Sequence, residues 1–179
     1  MKTITVPTAE QVSPESQVIY EQMQKRMGKV PNLYATIGYS ANALKGFMDF
    51  DAILARGVFH AKEREAVAVA VSEINHCEYC LAGHSLAAIK NGISEDELIN
   101  IRKGHATDPK MNAVIQLAQE ITKTQGNPAV EYIDNFYAAG YDEGALMELV
   151  GLVTVRIFTN YVFALTHIPV DFPAAAKLD

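Results

Sequence analysis

Apolar residues recur along this chain at three- and four-residue spacing far more often than in alternation, the period of helices packed on a core. Val18, Ile19, Met23 and Met27 follow Ser13-Pro14-Glu15, where proline suits a first helical turn. Gly28-Lys29-Val30-Pro31-Asn32 reads as a break. Ser40 is placed to cap a helix over about 41–56, with Leu44, Phe47, Phe50 and Leu54 on one side and Gly57 ending it. Over about 62–74 the chain opens with Glu63-Arg64-Glu65 and is then apolar almost all round. Alanine is a poor strand former, so its alternation with valine predicts a buried helix here.

A helix over about 79–90 ends at Asn91-Gly92, and Ser94-Glu95-Asp96-Glu97 reads as a capping box for a short helix to about Ile101. Asp108-Pro109 starts a helix carrying Val114, Leu117, Ala118 and Ile121 that stops near Gly126. Asn127-Pro128 starts the next, which Gly140 stops, and helical segments over about 143–154 and 156–165 lead to Pro169 and a short tail. The β-branched residues 3–6 are the one extended candidate, and they end at Pro7. The expectation is an all-α fold of about eight to ten helices in a single domain spanning 1–179.

Charge narrows the partners. With 15 Lys and Arg against 21 Asp and Glu the net charge is −6, and no basic cluster is longer than two residues. Binding to nucleic acid or to an anionic membrane surface is therefore disfavoured. The opening residues carry no apolar stretch of the secretory kind, and no uninterrupted apolar run reaches the roughly 20 residues of a membrane span. The expected location is the cytoplasm. Two cysteines, Cys77 and Cys80, do not make a disulfide scaffold.

Shifting the chain by 83 residues aligns 48–84 with 131–167 and gives seven identities in 37 positions, among them Asp51/Asp134, Gly57/Gly140, Glu65/Glu148 and His84/His167. That excess points to a duplicated helical unit: a half with the cysteines at about 40–105 and a degenerate repeat at about 125–173. In the second copy Asn160 and Phe163 stand where the first has Cys77 and Cys80, so Glu148 and His167 are expected as buried structural residues.

The chemistry concentrates in Glu65, Cys77, Cys80 and His84. Two sulfurs three residues apart at a helix start are within disulfide reach, and the free N–H groups there favour a thiolate. His84, four residues beyond Cys80, shares its helix face and can exchange a proton with it. Glu65, on the preceding helix, can orient His84 or relay its proton, although acidic residues also favour a first helical turn for their own sake. Zinc held by Cys77, Cys80, His84 and His76 is the rival reading, in which the protein is a non-catalytic helical interaction module. A thioredoxin-like fold would need βαβ alternation that this chain lacks. His60 and His105 fall in loops and read as solvated, and Tyr79 reads as a packing residue whose hydroxyl finds a partner.

Glu65-x11-Cys77-x2-Cys80-x3-His84 in an all-helical chain resembles the alkylhydroperoxidase D-like branch of the carboxymuconolactone decarboxylase superfamily, more narrowly its peroxidase-related group. The stretches Gly28-Lys29-Val30-Pro31-Asn32-Leu33 and Pro169-Val170-Asp171-Phe172-Pro173 resemble that group too. The resemblance implies a helical fold with internal duplication, a homo-oligomer (trimer or hexamer), and a cofactor-free thiol peroxidase acting on organic hydroperoxides. It implies Cys80 as the peroxidatic sulfur, Cys77 as the resolving one, and His84 and Glu65 as the proton relay. The reductant it implies is an external dithiol on a lipoyl-bearing or thioredoxin-like protein. General disulfide reduction or exchange is the alternative use of the same pair. The family's best-described member has a relay histidine just before the peroxidatic cysteine, where this chain has Tyr79. A phenol with an ordinary pKa near 10 does not cycle protons near neutrality, which leaves Tyr79 and His76 as accessory candidates.

Overall fold

The structure, a computed structural model, describes residues 4–178. Among them are nine α-helices, one 3-10 turn (Ala9–Gln11) and no strand. The helices are α1 (Pro14–Met27), α2 (Asn32–Ile37), α3 (Ala41–Leu54), α4 (Ala61–Ile74), α5 (Glu78–Lys90), α6 (Glu95–Arg102), α7 (Pro109–Lys123), α8 (Val130–Ala138) and α9 (Glu143–Thr166). This is the all-helical fold that the periodicity predicts. Of the candidate strand, residue 3 lies outside the described residues, and residues 4–6 form no regular element.

Local chemistry starts most of these helices. Ser13, Ser40 and Ser94 accept the N–H groups of Ser16, Ala43 and Glu97, and Asp108 and Asp142 those of Met111 and Ala145. Each cap satisfies an N–H that no preceding turn can reach. The box at Ser94 is only half made, because the Glu97 carboxylate turns away to the backbone and hydroxyl of Thr107.

Three boundaries differ from the sequence reading. Gly28, at φ 77°, ends α1 as expected, but Pro31 then opens an unexpected short helix, α2, which starts at the last residue of the predicted break. The helix expected from Asn127-Pro128 begins at Val130. The two segments expected after Gly140 are one unbroken helix, α9. The stretch carries no proline, Thr154 bonds back to the Val150 carbonyl, and Gly151 lets the helix lie close against Leu54 and Phe50 of α3.

α4 is the centre of the molecule, buried among α5, α6, α7 and α9. Val67, Val69 and Val71 are fully buried there and share a core with Val114, Leu117, Phe136, Leu149 and Leu152. An all-round apolar helix is stable only with neighbours on every side, and these supply them. A second core joins α1, α2 and the start of α5: Tyr20, Met23, Leu33 and Leu44 pack with Cys77, Tyr79, Cys80 and Phe163. By length and apolarity α9 passes as a membrane span, but half of its most apolar stretch is buried inside the protein.

The 83-residue relation has mixed structural counterparts. Gly57 and Gly140 both lie in turns that precede a helix, α4 and α9 respectively. Glu148 is half-buried and accepts the Val58 N–H at 2.7 Å. His167, expected to be buried, is exposed at the left-handed end of α9. Asn160, paired with Cys77 by the shift, lies inside α9, so the turn that carries Cys77 has no equivalent there.

Candidate active site

The turn between α4 and α5 sets the site. His76 adopts a left-handed conformation, φ 52°, while its N–H bonds to Glu73 and that of Cys77 bonds to Ser72. These are the paired bonds of a Schellman ending, which normally takes glycine at the left-handed position. The turn leaves the His76 side chain exposed and sends Cys77 inward as the N-cap of α5. His76 is therefore not brought to the site. Asn160 secures the turn from α9, donating to Ser72 Oγ at 3.2 Å and accepting from Asn75 Nδ2 at 2.8 Å.

Cys77 and Cys80 are buried and joined as a disulfide, and the Cys80 N–H donates to Cys77 Sγ at 3.3 Å. His84 lies one turn after Cys80. Its Nδ1 is 2.7 Å from Oε2 of Glu65 on α4. With Nδ1 engaged, Nε2 is the ring nitrogen left for exchanging a proton with a bound ligand. Burial pushes the Glu65 carboxyl up, but His84, by charge and hydrogen bond, and then Arg156 and Arg64 outweigh it and hold Glu65 below its ordinary pKa. Glu65 is thus a half-buried carboxylate turned to imidazole, and a role as a simple helix-start charge does not describe it.

Cys80, His84, Glu65 and Tyr79 line one cavity of about 340 Å³. Cys77 is not among its lining residues. Tyr79 is buried as expected, and its hydroxyl has found partners: it donates to Asp171 Oδ1 at 2.5 Å and accepts from the Leu33 N–H at 3.1 Å. Burial, with the Asp171 hydrogen bond, pushes its phenol well above the ordinary tyrosine range, so Tyr79 holds its proton through the physiological range. The four side chains of the zinc reading are dispersed: the sulfurs bond each other, His84 faces Glu65, and His76 faces solvent. Among the described residues no three His, Cys, Asp or Glu side chains are grouped to hold an ion.

Sequence reasoning missed three charged groups on this cavity, Lys90 at the end of α5 and the pair Arg156 and Asp51. Arg156 of α9, buried, pairs through Nη2 with Asp51 of α3, and its Nε–H has no hydrogen-bond partner among the described residues. The available signal was its place as the lone charge in the apolar run from Leu149 to Thr166. Asp51 gave no such signal on the polar side of α3.

Fold and site together define an all-helical protein with a buried disulfide beside a histidine–carboxylate couple. Residues 41–120 match the family model described as the Carboxymuconolactone decarboxylase family. Over those residues the chain is similar to that family, and its described residues have the helical fold of the AhpD core. The AhpD-core, peroxidase-related protein from Ralstonia eutropha JMP134 is similar with a TM-score of 0.82 and 17% identity, covering 93% of this chain and 90% of that one. A peroxidase-related protein from Silicibacter sp. TM1040 gives 0.77 and 21%, covering 98% and 94%. The debrominase Bmp8, solved as a variant with 2,3,4-tribromopyrrole, gives 0.79 and 16%, covering 96% and 92%. Among curated proteins, the uncharacterized protein YdfG of Bacillus subtilis (strain 168) is 23% identical over 113 residues, 62% of this chain and 77% of that protein.

Proposed function

We propose that the protein is a cofactor-free, thiol-dependent peroxidase that reduces organic hydroperoxides through Cys77 and Cys80. The observation that carries this reading is the placement of Cys80 in one cavity with His84, whose Nδ1 is held by Glu65. In the reduced protein His84 takes the Cys80 proton. The thiolate attacks the terminal oxygen of ROOH, the O–O bond breaks, and Cys80 becomes a sulfenic acid. His84 returns the proton to the leaving alkoxide, giving ROH. The Cys77 thiol then attacks the Cys80 sulfur, water leaves, and the disulfide forms, so two sulfurs supply the two electrons. An external dithiol, on a lipoyl-bearing or thioredoxin-like partner in the cytoplasm, restores both thiols by exchange.

A homo-oligomer fits the surface. Met147, Val150, Phe158, Tyr161 and Leu165 are exposed along one face of α9 beside Phe50 and Ile53 of α3. An uncharged apolar face suits self-association of a chain with net charge −6.

The test is the intact mass and free-thiol count of reduced, metal-free protein before and after one equivalent of an organic hydroperoxide. Loss of both thiols with the mass of an internal disulfide is expected; survival of both thiols overturns the reading. The likeness to a debrominase favours one second reading, in which Ar–Br and two thiols give Ar–H, HBr and the same disulfide. Release of bromide from a bromopyrrole, with no reaction toward hydroperoxide, would favour it.

A further inference from the structure

The C-terminal tail is built into the cavity. After α9 the chain turns back, with Ile168 buried, and three groups pin it: Asn32 Nδ2 donates to the Pro169 carbonyl at 3.0 Å, Lys29 Nζ to the Asp171 carbonyl at 2.6 Å, and Arg102 to the Ala176 carbonyl. The Asp171 carboxylate takes Lys29 Nζ on one oxygen at 2.9 Å and the Tyr79 hydroxyl on the other at 2.5 Å. Burial raises the Asp171 pKa, but the Tyr79 hydrogen bond and Lys29 bring it below its ordinary value, so the latch stays charged.

This latch fixes Phe172. Its ring meets Tyr79 edge-on with centroids 5.6 Å apart and lies 4.1 Å beneath Lys29 Nζ. It also covers Gly83, where a Cβ would touch the ring at 3.6 Å. Phe172 therefore walls the cavity one residue from His84 and faces an apolar lining that includes Met27, Leu33 and Leu86. Cys80, His84 and Phe172 thus share one stretch of the cavity wall, where a carbon group on a bound hydroperoxide would meet the ring.

We infer that Phe172 is a specificity-determining residue, held by the Asp171–Tyr79 latch, that favours aryl or branched alkyl hydroperoxides over hydrogen peroxide. This rests on the peroxidase reading above. Hydrogen peroxide has no carbon skeleton to pack on Phe172, whereas an aryl or branched alkyl group brings its carbon against the ring. Asp171 is a positioning residue, acting through Phe172 and Tyr79.

The experiment measures thiol loss in the reduced full-length protein, quenched by alkylation and read by mass, with cumene hydroperoxide and with hydrogen peroxide. The readout is the ratio of rate constants within one preparation, which a partly misfolded fraction does not change. Wild type is expected to prefer cumene hydroperoxide to hydrogen peroxide by about tenfold or more, the scale of a lost apolar contact. Phe172→Ala is expected to lower the preference over hydrogen peroxide about tenfold, with Phe172→Leu keeping most of it. Asp171→Ala is expected to lower it about threefold by freeing the ring. No preference in wild type, or the same ratio in Phe172→Ala, overturns the inference while leaving the peroxidase standing. A ratio unmoved by Asp171→Ala overturns the latch. Thiols untouched by every peroxide overturn the peroxidase reading and this inference with it.

Discussion

Cys77 Sγ accepts the N–H of Cys80 at 3.3 Å, so one cysteine caps the helix on which the other lies. The two sulfurs are thereby given different surroundings. Cys77 has the positive helix end, which favours a thiolate. Cys80 has the cavity and His84. A substrate entering the cavity meets Cys80, whatever the ionisation of Cys77.

That division predicts unequal single mutants. Cys80→Ser is expected to abolish reaction with hydroperoxide. Cys77→Ser is expected to permit one oxidation, trapped as a sulfenic acid or mixed disulfide of the appropriate mass. The opposite pattern would exchange the two roles.

His84→Ala is expected to slow Cys80 oxidation about a hundredfold at pH 7, the scale of a lost general base. The deficit should shrink above about pH 8.5, where an ordinary thiol ionises unaided. Glu65→Gln keeps the imidazole but loses its anionic partner, and a smaller loss, about tenfold, is expected. A pH–rate profile of both variants separates these effects from structural damage.

Glu65 also links stability to pH. Its folded pKa lies below the ordinary value, so its contribution is complete above the usual carboxylate range near 4.3 and is lost as pH falls through the folded value. Wild type and Glu65→Gln should differ most in urea midpoint above the usual carboxylate range and converge as pH falls below it. A gap that widens on acidification would contradict the assigned charge state.

Arg156 ties α9 to α3 through Asp51 while lining the cavity. Arg156→Leu removes the hydrogen bond to Asp51 and is expected to lower stability by about 1–3 kcal/mol in urea titration. The double variant with Asp51→Ala should cost less than the sum of the two single changes.

The exposed face of α9 gives a test of assembly. Sedimentation of wild type is expected to give a multiple of 19.6 kDa, and Phe158→Glu to return the single-chain mass. A wild-type protein sedimenting as one chain would remove the proposed self-association.

Much of the fold is legible because it is local. Ser13, Ser40, Ser94 and Asp108 announce helices that start at the next residue, and Gly28 and Gly140 announce stops. The same local logic exposes Cys77, Cys80 and His84, which one helix brings to one place, and Glu65 by its place on the helix before. Such signals fail where local preference is weak. α2 is only six residues long and begins at the last residue of a stretch whose Gly28 and Pro31 read as a break. The continuity of α9 depends on α3, α4 and α7 packing along it.

By itself, then, the sequence determined the all-helical class, the caps and the dithiol–imidazole pattern, because each is a relation among residues within a turn or two. Only the tertiary structure decided that Glu65 reaches His84, that Arg156 pairs with Asp51, and that Asp171 grips Tyr79 from 92 residues away to place Phe172 over the cavity. Those contacts join separate helices and a tail with no periodicity of its own. Chain folding brings them together, and no local spacing encodes that approach.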